Sequence, residues 1–259
     1  GRRYMIKKWP GSRRFIKQFV GSRDFIQGTL RWCLWITDEN LKEAVEIPEI
    51  RRRIENVRKF RSQSKGKQAL NAVQFPHRFV YSPHQENLTI VVPRVFSERR
   101  SYMTVGFVHG SDGVVSDTAA ALYDADFVCF ATLSSRLHLA WVDAVCGKLK
   151  TDYRYSNTLG WNTFPVPTLT EKNKSDLTRC AEDILLARES HFPATIADMY
   201  KPEDMPDNLR AAHDRNDETI ERIYIGRRFK NDTERLEKLF ELYTKMTTQN
   251  FKPNPRMKA

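Results

Sequence analysis

Lys150, Asp152 and Arg154 stand two residues apart in CGKLKTDYRYS (146–156), a cation, an anion and a cation with Thr151, Tyr153 and Tyr155 interleaved. In an extended segment, residues two apart share a face. The three charges then project together, while Tyr153 and Tyr155 face the other way and anchor the segment. Lysine and arginine donate to O6 and N7 of guanine, and aspartate accepts from the exocyclic amine of cytosine. A Lys–Asp pair on one edge is complementary to a G·C pair seen from the major groove. The same residues also suit an ordinary surface salt bridge, worth at most about 1 kcal/mol. Chemistry alone leaves both readings open.

Reactive groups are otherwise sparse. GSDG (110–113) is too short and polar for a nucleotide cradle, and no glycine-rich loop follows a strand pattern. No N-P-P-F/Y or D-P-P-Y tetrapeptide holds a flipped base, and NTFPVP (162–167) shares only a superficial likeness. Pro206-Asp207 has no E-x-K nearby, so no metal-dependent nuclease core is visible. His77, His84, His109, His138, His191 and His213 lack metal-ligand spacing. Ser135 and His138 are simply helix neighbours. Cys33, Cys129, Cys146 and Cys180 are scattered and read as reduced thiols, not as a disulfide frame or zinc site. Neither a catalytic nor a metal site emerges.

The charge is more telling. The 259 residues carry a net charge of +11. Residues 1–67 hold 18 Lys/Arg against 7 Asp/Glu, residues 68–168 hold 8 against 8, and residues 169–259 hold 17 against 17. The whole excess lies in the first quarter. A basic surface attracts polyanions, nucleic acid above all, although a solvated basic helix has the same composition. No apolar run approaches the ~20 residues of a membrane span, and GRRYMIKKWP lacks a signal-peptide core, so a cytoplasmic protein is expected.

The elements that position these residues come in two styles. Strand patterns, rich in Val, Ile and aromatics, occur at 31–36, 78–82, 88–95, 103–110 and 126–133. IPEIRRRIENVRKF (47–60) places Ile47, Ile50, Ile54, Val57 and Phe60 on one helical face. SSRLHLAWVDAVCGKL (134–149) predicts an apolar helix, with Gly147 as its unwinding point. After FPVPTLT (164–170) strand signals stop, and helices are predicted near 173–190, 206–225 and 231–249. Pro206 suits a first helical turn, and Asn231 with Glu234 suits a capping box. The expected fold is α+β: a mixed α/β domain over 1–167, then a small helical bundle over 168–259.

FVGSRDFIQGTLRWCLWI, PRVFSERRSYMTVGFV, LSSRLHLAWVDAVCGKLKTDYRYSNTLGWNTFPVP, ILLARESHFPATIADMY and FELYTKM resemble, in order, the C-terminal third of MmeI-like enzymes, the type IIL restriction–modification proteins. The block at 133–167 is the most specific. In that family one polypeptide joins an endonuclease, a helical connector and an adenine-N6 methyltransferase to a target-recognition domain and a helical C-terminal segment. The resemblance implies that this chain holds only the last two. Its partners would be double-stranded DNA and the methyltransferase domain of the same polypeptide. S-adenosylmethionine and magnesium would serve domains outside it, and no cofactor is expected in the chain itself.

The resemblance places base reading on Lys150 and Asp152, with Arg154 on a neighbouring pair. Family members with Glu and Arg there invert donor and acceptor. Arg99, Arg100 and Arg136 are weaker DNA-binding candidates that can equally pair with Glu98 or Asp143. Ser116, Asp117 and Thr118 resemble a second loop near DNA, although their chemistry alone says turn or helix cap. Arg13, Arg14, Arg23, Arg51, Arg52 and Arg53 suit phosphates, which position a protein without specifying sequence. Trp141, Trp161 and Phe164 read as core. Two rival readings stand beside this one, a free-standing specificity subunit and an RNA-binding or scaffold protein.

Overall fold

Short β-branched runs broken by Pro, Gly and Asn build strands, and the longer amphipathic stretches build helices. The computed structural model describes residues 1–81 and 83–248. In chain order come α1 (Arg2–Lys8), a 3-10 turn (Pro10–Phe15), β1 (Ile16–Val20), α2 (Ser22–Gln27), β2 (Trp32–Leu34), α3 (Leu41–Val45), α4 (Pro48–Ser62) and α5 (Lys67–Asn71). Next are β3 (Leu88–Pro93), β4 (Val95–Phe96), β5 (Gly106–His109), β6 (Gly113–Val115), β7 (Ala119–Tyr123), α6 (Phe127–Leu133), α7 (Arg136–Val145), β8 (Gly147–Leu149) and β9 (Asp152–Arg154). Four helices close the described chain: α8 (Glu171–Glu189), α9 (Ile196–Met199), α10 (Asp207–Ile225) and α11 (Asp232–Thr248). This is the expected α+β pattern.

The chain forms two compact units. The first comprises Gly1–Phe19, Leu30–His84 and Ser111–Val114. Its sheet has the order β2-β1-β6, with Lys17 opposite Cys33 in the antiparallel β1–β2 pair. Met5, Phe15, Ile36, Ala44, Ile50 and Ile54 fill its core. The α4 stripe is buried at Ile50 and Ile54, but Phe60 at its end is 74% exposed. No strand forms over 78–81, and Ser82 lies outside the described residues. The Arg61 guanidinium takes the carbonyls of Ala72, Phe75 and Arg78, while Phe79 stacks on Phe19 and Trp35. A buried cation therefore occupies backbone acceptors that a strand partner would need.

The second unit comprises Val20–Thr29, Gln85–Gly110 and Val115–Ala259. It holds the antiparallel sheets β5-β3-β7 and β4-β9-β8. Its core runs from Ile90 and Leu122 through Trp141, Trp161 and Phe164 to Ile184, Leu209 and Leu239. The C-terminal helices thus share one core with the strands, and the three aromatics are core residues as expected.

Four expectations change here. Residues 126–133 form a helix instead of a strand: Asp126 accepts from the Cys129 N–H at 2.8 Å as an N-cap. A short apolar run cannot be assigned by periodicity alone, and the cap decides it. The following helix stops at Val145, where Cys146 turns extended and Gly147 opens β8. At α11, Asn231 caps the Glu234 N–H at 3.0 Å, but Glu234 turns to Arg227 and the Lys230 N–H, so the reciprocal half of the capping box is missing. Pro206 is the N-cap of α10, one residue before its first turn.

Replacing Asp126 with Ala should lower unfolding free energy by about 1 kcal/mol, as loss of an N-cap does. Urea denaturation checks this, and an unchanged midpoint would show that the cap does not hold the helix.

Candidate nucleic-acid interface

The charges at 150–154 sit on a hairpin, which replaces the single extended run expected. In the β8–β9 ladder, Gly147 faces Arg154, Lys148 faces Tyr153 and Leu149 faces Asp152. Lys150 and Thr151 form the loop, and Lys150 adopts a left-handed backbone with φ +58°. A tight hairpin requires such a conformation. Asp152 and Arg154 keep a common face, whereas Lys150 stands at the tip. The tyrosines anchor as expected. Tyr153 packs against Phe96 with ring centroids 5.1 Å apart, and Tyr155 is buried with its hydroxyl 3.3 Å from His138 Nε2.

The exposed Lys150 and Arg154 side chains have no ion-pair partner among the described residues. Asp152 forms no salt bridge among them either, but its carboxylate acts through space on Arg100. Burial pushes the Arg100 guanidinium down from its ordinary pKa, and Asp152 opposes that shift. The β4–β9 register explains the proximity: Phe96 faces Tyr153, so the loop after β4 runs alongside Asp152. Arg100 also donates to Thr104 Oγ1 at 3.2 Å. Arg99 pairs with Glu203, not Glu98. Asp143 pairs with Lys148 at 2.9 Å and leaves Arg136 to another carboxylate.

That carboxylate is Asp217 on α10, which is 4% exposed. It accepts from the Arg136 N–H at 2.8 Å and from the Tyr102 hydroxyl at 3.1 Å, and it lies 4.0 Å from Arg136 Nε. Burial raises its pKa from 3.8 to about 7 and outweighs these partners. Tyr102 stacks on His213 at 4.0 Å. Arg188 donates to the Tyr200 hydroxyl, which lies 2.6 Å from His213 Nε2, while His213 Nδ1 lies 3.2 Å from the Ser134 carbonyl. This pattern fits a neutral ring protonated at Nδ1. Burial and Arg188 hold its pKa well below the usual range.

Ser116 and Thr118 serve the loop itself. Their hydroxyls lie 2.8 Å apart, and Thr118 Oγ1 accepts from the Ser22 N–H at 3.3 Å. Gly21 is required beneath them: an added Cβ would sit 2.5 Å from Thr118 Oγ1 and 2.9 Å from Ser116 Oγ. Asp117 and, on α2, Arg23 remain exposed.

In the first unit, several predicted phosphate contacts already have partners. Arg14 pairs with Glu43, Arg51 Nε donates to the Val45 carbonyl at 2.8 Å, and Arg52 and Arg53 share Glu49 at 2.8 and 2.9 Å. These two arginines hold the Glu49 carboxyl down at about 2. Arg13 and Arg14, with Arg2 and Lys17, line a cavity of about 660 Å³. Charge counting along the chain did not single out Arg2 or Lys17. Among the described residues, no His, Cys, Asp and Glu cluster suits a metal ion, and no helix is long and apolar enough to cross a membrane.

A mixed α/β body thus presents a charged hairpin and shares one core with the C-terminal helices. The family described as MmeI, target recognition domain, matches residues 1–168, and that described as MmeI, C-terminal domain, matches residues 169–251. The chain belongs to the MmeI family. It is 39% identical over 242 residues to DNA methyltransferase A of Bacillus subtilis (strain 168), covering 93% of this chain and 27% of that protein. The solved structure of the type IIL restriction-modification enzyme MmeI in complex with DNA superposes with a TM-score of 0.88 at 32% identity, covering 95% of this chain and 33% of that one. The chain therefore spans about a third or less of the length of these relatives.

The Asp217 environment makes a pH prediction. Its folded pKa lies above the ordinary value, so the folded state keeps a proton that the unfolded state releases between about pH 4 and 7. Stability should fall as pH rises through that window. In Asp217→Asn that component is absent, so the variant should gain on the native protein from pH 4 to 7 and hold level above. Urea titrations at several pH values check this; a constant difference would show that Asp217 is ionised throughout.

Proposed function

We propose that this chain is the sequence-reading module of a type IIL restriction–modification enzyme, and that the β8–β9 hairpin enters the major groove of double-stranded DNA. The observation that carries this is the contrast in charge pairing. Lys150 and Arg154 project from the hairpin with no ion-pair partner among the described residues, while Arg14, Arg52, Arg53, Arg99 and Arg136 are engaged by carboxylates. In this reading Lys150 donates to guanine and Asp152 accepts from cytosine of one G·C pair, with Arg154 on a neighbouring pair. In this reading Arg99, Arg100, Arg136 and Asp117 serve as secondary DNA contacts.

The likeness to a DNA methyltransferase and to MmeI bound to DNA supports this assignment. The module would hold DNA while an adenine flips into a methyltransferase pocket elsewhere in the polypeptide. S-adenosylmethionine and magnesium belong, in this proposal, to those other domains. Arg13, Arg14, Arg23, Arg51, Arg52 and Arg53 would neutralise phosphates, with Arg14, Arg52 and Arg53 giving up carboxylate partners to do so.

Exchanging both readers, Lys150→Glu with Asp152→Arg, inverts the donor and acceptor pattern. Preference at that one position should move from G·C to C·G, with about 1–3 kcal/mol of discrimination. Selection on a randomised site reads the outcome; a folded double variant that keeps every original base would reduce the pair to surface charges.

Replacing Arg51, Arg52 and Arg53 together with Ala should weaken binding equally for all sequences. The slope of log affinity against log salt should fall by roughly 0.9 for each phosphate that is no longer neutralised. An unchanged slope would place this face away from DNA.

A further inference from the structure

The hairpin register places a further side chain among the proposed readers. Cross-strand partners in an antiparallel pair share a face, and so do alternate residues along each strand. Leu149 opposite Asp152 and Gly147 opposite Arg154 therefore lie on the same face as the two charges. The other face, with Tyr153, packs on Phe96. Leu149 is 52% exposed. Gly147 adds no bulk: an added Cβ there would meet nothing within 4 Å. The outward face thus consists of a carboxylate, a guanidinium, an open glycine and one uncovered leucine.

Among major-groove base edges, the methyl on C5 of thymine is the distinctive apolar group. In cytosine, C5 adjoins the carbon bearing the exocyclic amine. A side chain beside a carboxylate that accepts from that amine lies beside the C5 edge of the same base or of its neighbour.

Resting on the DNA-reading assignment, we propose that Leu149 is a specificity-determining residue that packs against the C5 edge of a pyrimidine and makes binding depend on a methyl group there. Asp152 reads the amine and Leu149 the carbon edge beside it.

The test uses the full-length protein and duplexes that carry its selected site. Each thymine is replaced in turn by deoxyuridine, and each cytosine by 5-methylcytosine. At one pyrimidine position at or next to the Asp152 base pair, the methylated form should bind roughly fourfold more tightly, the effect of burying one methyl group. Leu149→Ala should abolish that dependence while keeping the preference that Asp152 supplies. Methyl dependence that is absent, or that persists in Leu149→Ala, overturns the proposal. The Lys150→Glu, Asp152→Arg exchange, run in parallel, separates the failures. If it switches the base while methyl dependence is absent, only the Leu149 assignment fails. If neither responds, the reading hairpin fails as well. Leu149 is exposed, so its truncation should leave the melting temperature unchanged.

Discussion

Asp217 carries a carboxylate into a place that water hardly reaches, and the arrangement of the second unit's surface depends on what it holds there. One oxygen takes the first N–H of α7, the other takes the Tyr102 hydroxyl, and Arg136 completes the group from outside. Burial opposes the charge strongly enough to raise its pKa to about 7. Its partners use each oxygen, and the group gives up its proton only as pH passes about 7. An unpaired polar group in the same position would cost about 1–3 kcal/mol or more. Through Tyr102 it ties α10 to the segment bearing Arg99 and Arg100. Through Arg136 it ties α10 to the helix that leads into the β8–β9 hairpin.

The same logic extends inward. His213 and Asn216 lie on the α10 stretch that also carries Asp217, and they engage the Ser134 and Ala131 carbonyls where α6 meets α7. Arg188 on α8 reaches the Val105 carbonyl and the Tyr200 hydroxyl. Such networks fix geometry because a shift of one member strands its neighbours in low dielectric. The C-terminal helices supply the polar partners that set where α7 begins and where the 97–105 segment runs.

Much of this was legible in the sequence where local chemistry and tertiary demand agree. The C-terminal helices, the 47–60 helix, the strand at 88–95 and the tyrosine anchors follow from periodicity and capping residues. The misreadings have identifiable causes. Asp126 signalled a helix start, but the short apolar run behind it suited a strand equally well. Residues 78–81 have strand composition, yet a distant arginine, Arg61, takes the Arg78 carbonyl. The hairpin was hidden because Lys-Thr lacks the glycine or asparagine that usually marks a left-handed turn. The Asp217 partnership joins residues 81 and 115 positions apart, and no local pattern carries that information.

These features separate two kinds of position on one short hairpin. Tyr153 and Tyr155 are committed inward, and altering them would disturb the packing on Phe96 and the contact with His138. Lys150 and Arg154 are solvated and unpaired among the described residues, and exposed ion pairs contribute little to folding in any case. Their charge is nearly free of structural consequence. Asp152, half-buried beside Arg100, is the intermediate case: its charge eases the partial burial of that guanidinium. An Arg at position 152 would face Arg100, and a Glu placed at position 150 supplies a compensating charge nearby. Exchanging the two charges together thus preserves local charge balance. This gives a physical reason why such a pair would change together, not one residue at a time.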